Sequence, residues 1–232
     1  MISPDQYEKL NPAEAVALQN EMRKSINLTP LNKEIKLIGG ADISFNKHED
    51  QVYAGIIVLE YPSMKIVSKT ALTAIAKFPY ISGLLAFREI PALLKVWEQL
   101  KQKPDVMILD GQGIAHERRM GIATHFGLLT DIPAIGCAKS KLTGNFNQPE
   151  NKHFASSPLL YQSETIGFAL RTKINCNPIY ISPGHKISLE QSLEVVKNCS
   201  LKYRIPEPTR LAHLLVNEAR LKDMETRQMK LF

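Results

Sequence analysis

The run Asp105–Asp110, DVMILD, constrains this chain more than any other stretch: an unbroken apolar core ending in an acid reads as a strand buried on both faces. Such a strand needs covering layers above and below, which points to an α/β architecture. A helical stretch, Arg118–Thr130, and a short apolar strand, Ala134–Ala138, follow it with tight joins, giving a parallel βαβ unit. Upstream, Lys36–Phe45, Val52–Tyr61 and Lys65–Ile75 are rich in β-branched residues and are joined by the short polar turns NKHED and YPSM, as in an antiparallel meander. A helix over Leu84–Gln102 comes next, with Pro91 placed near its beginning, where a missing N–H is tolerated. Asn11, Pro12 and Glu14 suit the N-cap, N1 and N3 positions of a surface helix over Asn11–Ile26, whose apolar face is Val16, Leu18, Met22 and Ile26. Near the C-terminus the pattern predicts a hairpin of Thr165–Ile174 with Pro178–Ser182, a helix Leu189–Asn198 and a last helix starting near Pro208. Thr143–Pro158, polar and proline-containing, is expected to be the flexible loop.

Three antiparallel strands, a helix and a parallel βαβ are the element order of the ribonuclease H-like fold: an α/β mixed sheet flanked by helices. Apolar residues make up 44% of the 232 and charged residues 22%, enough for a sizeable core. No linker or repeat divides the chain, so residues 1–232 are expected to form a single domain. The formal charge of +6 favours polyanionic partners, though many soluble proteins are as basic. Three separated cysteines, Cys137, Cys176 and Cys199, suggest neither a disulfide framework nor a zinc site, and reduced thiols fit a cytoplasmic protein. The start MISPDQYEKLNPAE lacks a signal-peptide pattern, and no apolar run is long enough for a membrane span, so neither export nor a membrane partner is expected.

Three acids stand where chemistry would be placed. Asp42 interrupts the apolar LIGGADISF, Asp110 ends a parallel strand before GQG, and Glu89 lies early in the helix after the meander. Carboxylates on rigid elements can hold Mg²⁺, which prefers hard oxygen ligands and can drive phosphodiester hydrolysis. Each acid taken singly also fits a solvated strand end, a turn or an ordinary helix position. Basic groups follow: His116 as phosphate contact, proton shuttle or surface histidine, then Arg118, Arg119, Lys139 and Lys141, of which Lys139 ends a strand near Asp110. Glycines cluster near the same sheet edge, among them Gly111, Gly113 and Gly121, where backbone could approach a flat ligand. In KFPYISGLL, Tyr80 on a Pro-Tyr tip could enter a base stack or pack on its own helix.

The segments IGGADISF, KFPYISGLLAFREIPALL, DVMILDGQGIAHERRMGIATHFGLLTDIPAIGCAKSKL, NPIYISPGHKISLEQSL and KYRIPEPTRLAH resemble the endonuclease V (deoxyinosine 3′-endonuclease) family, in family order over about residues 10 to 215. The resemblance implies a Mg²⁺-dependent nuclease, with Mn²⁺ as a substitute. It would nick DNA containing deaminated purines at the second phosphodiester bond 3′ to hypoxanthine, leaving 3′-hydroxyl and 5′-phosphate ends. It implies Asp42, Glu89 and Asp110 as metal carboxylates, His116 and Lys139 as active-site basic residues, and Tyr80 as the strand-separating wedge. Gly83, Leu85, Gly111, Gly113 and Gly121 fall on the base pocket, and His213 sits near the metals where some members carry Asp. The chain departs from the family at Ser82 (PYIS for PYIP), at Gln112 (DGQG for DGHG), at Glu117 (HERR for HPRR, expected to loosen the turn after His116), and at Ser182 and Pro183, where no consequence is evident. A monomer is expected. Inosine-containing RNA as the main substrate and a non-catalytic nucleic-acid binder are the competing readings.

Overall fold

A computed structural model of the chain describes residues 4–7, 9–46 and 49–229. Lys47 and His48, in the middle of the expected NKHED turn, lie outside the described residues, as do Met1–Ser3 at the start of the chain. The elements in order are α1 (Pro4–Tyr7), α2 (Pro12–Met22) with a 3₁₀ turn Arg23–Ser25, β1 (Leu37–Phe45), β2 (Gln51–Glu60), β3 (Ile66–Ile75), α3 (Leu85–Gln99), β4 (Val106–Leu109), α4 (Ile122–Thr130), β5 (Ala134–Ala138), β6 (Ser156–Tyr161), β7 (Glu164–Leu170), β8 (Ile179–His185), α5 (Leu189–Asn198) and α6 (Glu207–Met229). The strands form one eight-stranded sheet in the order β3-β2-β1-β4-β5-β8-β7-β6. β1 to β4 and β4 to β5 are parallel, and the other neighbours are antiparallel. The mixed sheet expected from the element order is the one observed.

Side-chain alternation explains why β4 reads as a continuous apolar run. Met107 and Leu109 enter the cluster under α3 and α4 with Phe87, Ile90 and Phe126, while Val106 and Ile108 enter the opposite cluster with Val196 and Ala212. Both faces of the strand are therefore core, each fully buried side chain contributing about 1.5–3 kcal/mol by area. α3 buries Phe87, Ile90, Leu93 and Val96, one residue per turn, against β2. α2 begins with the expected capping box: Asn11 accepts from the Glu14 N–H at 3.0 Å and donates back at 2.9 Å. Its fully buried residues are Ala15 and Gln19, while Val16 and Leu18 of the expected apolar face pack half-buried against the core.

Three expectations are corrected. Pro91 lies in the interior of α3, past its first turn, where it leaves the Phe87 carbonyl without its helical N–H partner. α4 starts at Ile122, not Arg118, because Arg119 takes a left-handed backbone (φ 62°) and Gly121 is the N-cap. The last part of Thr143–Pro158 is the beginning of β6, an edge strand. The rest of that segment is not loose: the buried Arg171 donates to the carbonyls of Glu150 (2.8 Å) and Pro149 (3.1 Å).

Candidate active site

Parallel register places Ala41 beside Leu109, and the Asp110 N–H donates to the Ala41 carbonyl at 3.3 Å. Asp42 and Asp110, the next residue on each chain, are therefore neighbours at the edge where β4 stops and β1 continues. α6 reaches the same edge because Gly40 has no side chain: a Cβ there would collide with the Pro208 backbone. That close seating brings His213 to Asp42, with Nδ1 at 2.7 Å from Oδ2. Lys139, just past β5, pairs its Nζ with Asp110 Oδ2. Glu89 on α3 lies close enough for both aspartates to disfavour its ionised form.

The electrostatics follow from burial and like charge. Burial pushes the Asp42 carboxyl up to about 6, the Asp110 charge adds to this, and the His213 hydrogen bond partly opposes it. Glu89 is pushed up to about 8, by burial first and then by Asp42 and Asp110. Burial opposes the charge of Lys139, but Asp110 holds its pKa above the ordinary value. Three crowded acids with one lysine and one imidazole are short of positive charge. Hard oxygen donors in this state suit a divalent cation such as Mg²⁺. Among the described residues no three His, Cys, Asp or Glu side chains close a ready-made cage. Mg²⁺ does not require one, since it commonly keeps water and takes one or two carboxylates plus substrate phosphate.

A cleft of about 400 Å³ opens beside the acids, within the roughly 300–1,000 Å³ range of small-molecule sites. Its lining includes Glu89, Asp110, Lys139, Tyr80, Gly83, Leu85, Gly111, His116 and Gly121. Tyr80 stands at the rim with 67% of its surface exposed. Gly113 does not line the cleft: its N–H goes to Ser182 Oγ at 2.8 Å and its carbonyl accepts from Gly121 at 3.1 Å. It belongs to the support behind the wall. The loop Gly111–Gly113 rests on Gly136 of β5, where any Cβ would collide with the backbone of Gln112 and Gly113.

His116 is buried and neutral. Its Nδ1 accepts from the Arg118 N–H at 3.2 Å, which leaves Nε2 to donate to the Gly83 carbonyl at 3.1 Å. Burial, with the Arg118 charge, pushes its pKa down to about 4. In this arrangement it is a strut for the cleft wall, and a phosphate contact would require these bonds to break. The same carbonyl also accepts from Gln19 (3.1 Å) and Arg118 (2.9 Å). The turn after His116 is closed without proline, the Arg119 N–H donating to the His116 carbonyl at 2.9 Å.

Sequence reasoning missed Gln19 and gave Ser182 no role. Ser182 is fully buried and is the acceptor for Gly113; β8 pairs it with Gly136, a register not readable from local pattern. Ser182→Ala would leave a buried N–H unpaired, and a loss of about 1–3 kcal/mol in urea unfolding is expected. An unchanged midpoint would mean that water replaces the hydroxyl.

The endonuclease V family model matches residues 20–214 of this chain. The chain belongs to the endonuclease V family. It is 43% identical over 213 residues to the endonuclease V of Dictyoglomus thermophilum, covering 92% of each protein. The crystal structure of the Bacillus subtilis endonuclease V superposes with a TM-score of 0.90 at 29% identity, covering 95% of this chain and 96% of that one. Ciona intestinalis endonuclease V, solved in complex with a 24mer DNA containing an inosine followed by a ribo-adenosine, superposes with a TM-score of 0.79 at 31% identity, covering 91% and 98%. As a member of this endonuclease V family the chain is a DNA-repair nuclease, a phosphodiester hydrolase that binds DNA. Among the described residues no helix is long and apolar enough to cross a membrane.

Proposed function

We propose that this protein nicks a nucleic-acid strand at the second phosphodiester bond 3′ to deoxyinosine, leaving 3′-hydroxyl and 5′-phosphate ends, in a divalent-metal-dependent reaction. The observation that carries the reading is the crowding of Asp42, Asp110 and Glu89 at the edge of a base-sized cleft. The inosine-containing DNA bound by the Ciona relative supports the lesion class. A divalent cation, Mg²⁺ or Mn²⁺, held by these three carboxylates would supply the Lewis acidity that activates water and offsets charge on the leaving oxygen.

The chain's own groups divide the remaining work. Lys139, half-exposed and already ion-paired at the site, offers its ammonium to the scissile phosphate. The backbone of Gly83, Leu85, Gly111 and Gly121 forms the wall against which a flipped hypoxanthine lies, and His116 holds Gly83 in place. Tyr80 fills the gap in the stack. Flipping costs a few kcal/mol, least at a mismatched base, and this itself favours lesions. The three cysteines are free, and Cys137 and Cys199 are buried, which suits a reducing compartment such as the cytoplasm.

The deciding experiment is a nicking assay on matched inosine-containing DNA and RNA strands, with and without Mg²⁺, mapping the cut. RNA is the second reading, because the DNA in complex with the Ciona relative carries a ribo-adenosine after the inosine. Binding without cleavage in either strand would leave only the non-catalytic reading. Tyr80→Ala is expected to lower discrimination between inosine and normal duplex about tenfold while leaving Mg²⁺ affinity unchanged, given the ~1–3 kcal/mol of a base–aromatic stack. Loss of metal affinity with discrimination intact would show the wedge assignment to be wrong.

A further inference from the structure

His213 is one end of a hydrogen-bonded chain that runs along α6, away from the acids. Its Nε2 faces the Asn217 Nδ2 at 2.9 Å. The Asn217 Oδ1 in turn accepts from Arg220 Nη2 at 3.3 Å and from the Ser44 hydroxyl on β1 at 3.0 Å. Arg220 also donates through Nη1 to the Asn46 Oδ1 at 2.9 Å, which ties the chain to the end of β1. Positions 213, 217 and 220 are spaced by four and three residues, so they share one face of the helix.

Both ends of the chain favour the same direction, since an ionised Asp42 only accepts and the far end fixes the amide of Asn217. A guanidinium has five donors and no acceptor, so the oxygen of Asn217 must be the atom turned toward Arg220. The amide nitrogen is then the atom turned toward His213. Because that nitrogen can only donate, Nε2 of His213 must accept and cannot carry a hydrogen. The ring hydrogen is therefore on Nδ1, which donates to Asp42 Oδ2. Among the described residues nothing donates to the other oxygen, Oδ1. A histidine free in water prefers the opposite tautomer, so the chain holds the imidazole in its minority form.

We infer that Asn217, oriented by Arg220 and Ser44, is a positioning residue that fixes His213 as an Nδ1–H donor and so holds the Asp42 carboxylate in a single orientation. The inference rests on the reading of Asp42 as a metal carboxylate, and it assigns the specification of the active-site tautomer to Arg220, two hydrogen bonds removed from the imidazole. Partners of this kind behind a metal-site group typically change metal affinity or activity by ~10–100-fold.

The test is ring-nitrogen NMR on the metal-free full-length protein labelled with ¹⁵N-histidine, assigning His213 by its loss in His213→Asn. The wild type is expected to show a protonated Nδ1 and an unprotonated Nε2. With the Asp42 carboxylate still accepting from Nδ1, Arg220→Leu and Asn217→Leu should raise the Nε2–H population only in part, and Asn217→Asp, which offers an acceptor, should protonate Nε2. Calorimetric titration with Mg²⁺ should show about tenfold weaker binding for Asn217→Leu, with oligonucleotide affinity unchanged. A wild-type Nε2–H tautomer overturns the inference without need of any variant. Arg220 and Asn217 variants that keep the wild-type ring signals and Mg²⁺ affinity overturn it as well. Failure of the nuclease reading is seen separately, as a wild type that binds inosine-containing strands but does not cut them.

Discussion

Asp110→Ala should reduce nicking of an inosine-containing strand at least about a thousandfold, a loss of roughly 4 kcal/mol in transition-state stabilisation. Asp110 is the acid shared by the parallel-strand edge, the cleft lining and the Lys139 ion pair, so among the described residues no other side chain combines these three places. Binding should survive and tighten somewhat. The cleft's backbone is untouched, one negative charge is gone, and Lys139 is released toward phosphate. Nicking rate and fluorescence anisotropy on the same labelled oligonucleotide separate the two quantities. Asp110→Asn, which preserves shape, guards against a folding artefact. Wild-type nicking by either variant in Mg²⁺ would remove Asp110 from the chemistry.

Glu89→Gln should make the metal-free protein more stable while abolishing the same activity. Glu89 has an ordinary carboxyl pKa of 4.5 when unfolded and about 8 when folded. Between those values the folded state binds the extra proton, so stability falls as pH rises through that window and levels off above pH 8. Ionising the buried acid beside Asp42 and Asp110 costs on the order of 5 kcal/mol by then. Glutamine keeps the shape and removes the charge, so its advantage should be near zero at pH 4.5 and largest at pH 8.5. Below neutrality the neutral histidines act in the opposite sense. His116 and the buried His125 have pKa values pushed down by burial to about 4 and about 3. Stability therefore declines as pH falls from 6.5, where unfolded histidine takes a proton that the folded state refuses. In the wild type the two trends partly cancel, whereas Glu89→Gln should expose more of the histidine slope. Denaturant midpoints from pH 4.5 to 8.5 without metal test this. Equal midpoints for both proteins at pH 8.5 would mean that Glu89 is not held among like charges.

What the sequence revealed, and what it hid, divides by the range of the forces involved. β4, β5 and α5 were legible to within a residue because alternation and helical periodicity are local, and both faces of β4 are core. β6 was hidden: it is an edge strand containing Pro158, whose missing N–H is tolerated there, so its first residues, the buried Ser157 among them, fell within the expected loop. The start of α4 was displaced because a left-handed Arg119 carries no residue signature such as glycine would. At the site, Asp42 and Asp110 could be paired as soon as their strands were taken as parallel neighbours. The supporting contacts could not be read from local pattern. His213, placed near the metals only by the family resemblance, arrives from α6 across the face of the sheet; Ser182 reaches Gly113 through the β5–β8 register, and Gln19 reaches Gly83 from α2, each a contact between residues far apart in sequence.

Two parts of the cleft wall are built to different tolerances. Gly111 and Gln112, backed by Gly113, are seated on the main chain of β5 through Gly136, where any Cβ would collide. The Gly83 part hangs on its carbonyl, gripped by Gln19, His116 and Arg118. Main chain offers nothing to mutate, while three side-chain grips can be loosened one at a time. On the proposed reading of this cleft as a base pocket, one part of its wall is fixed by main chain and another is adjustable, so changes in the bases accepted would be sought at residues 19, 116 and 118.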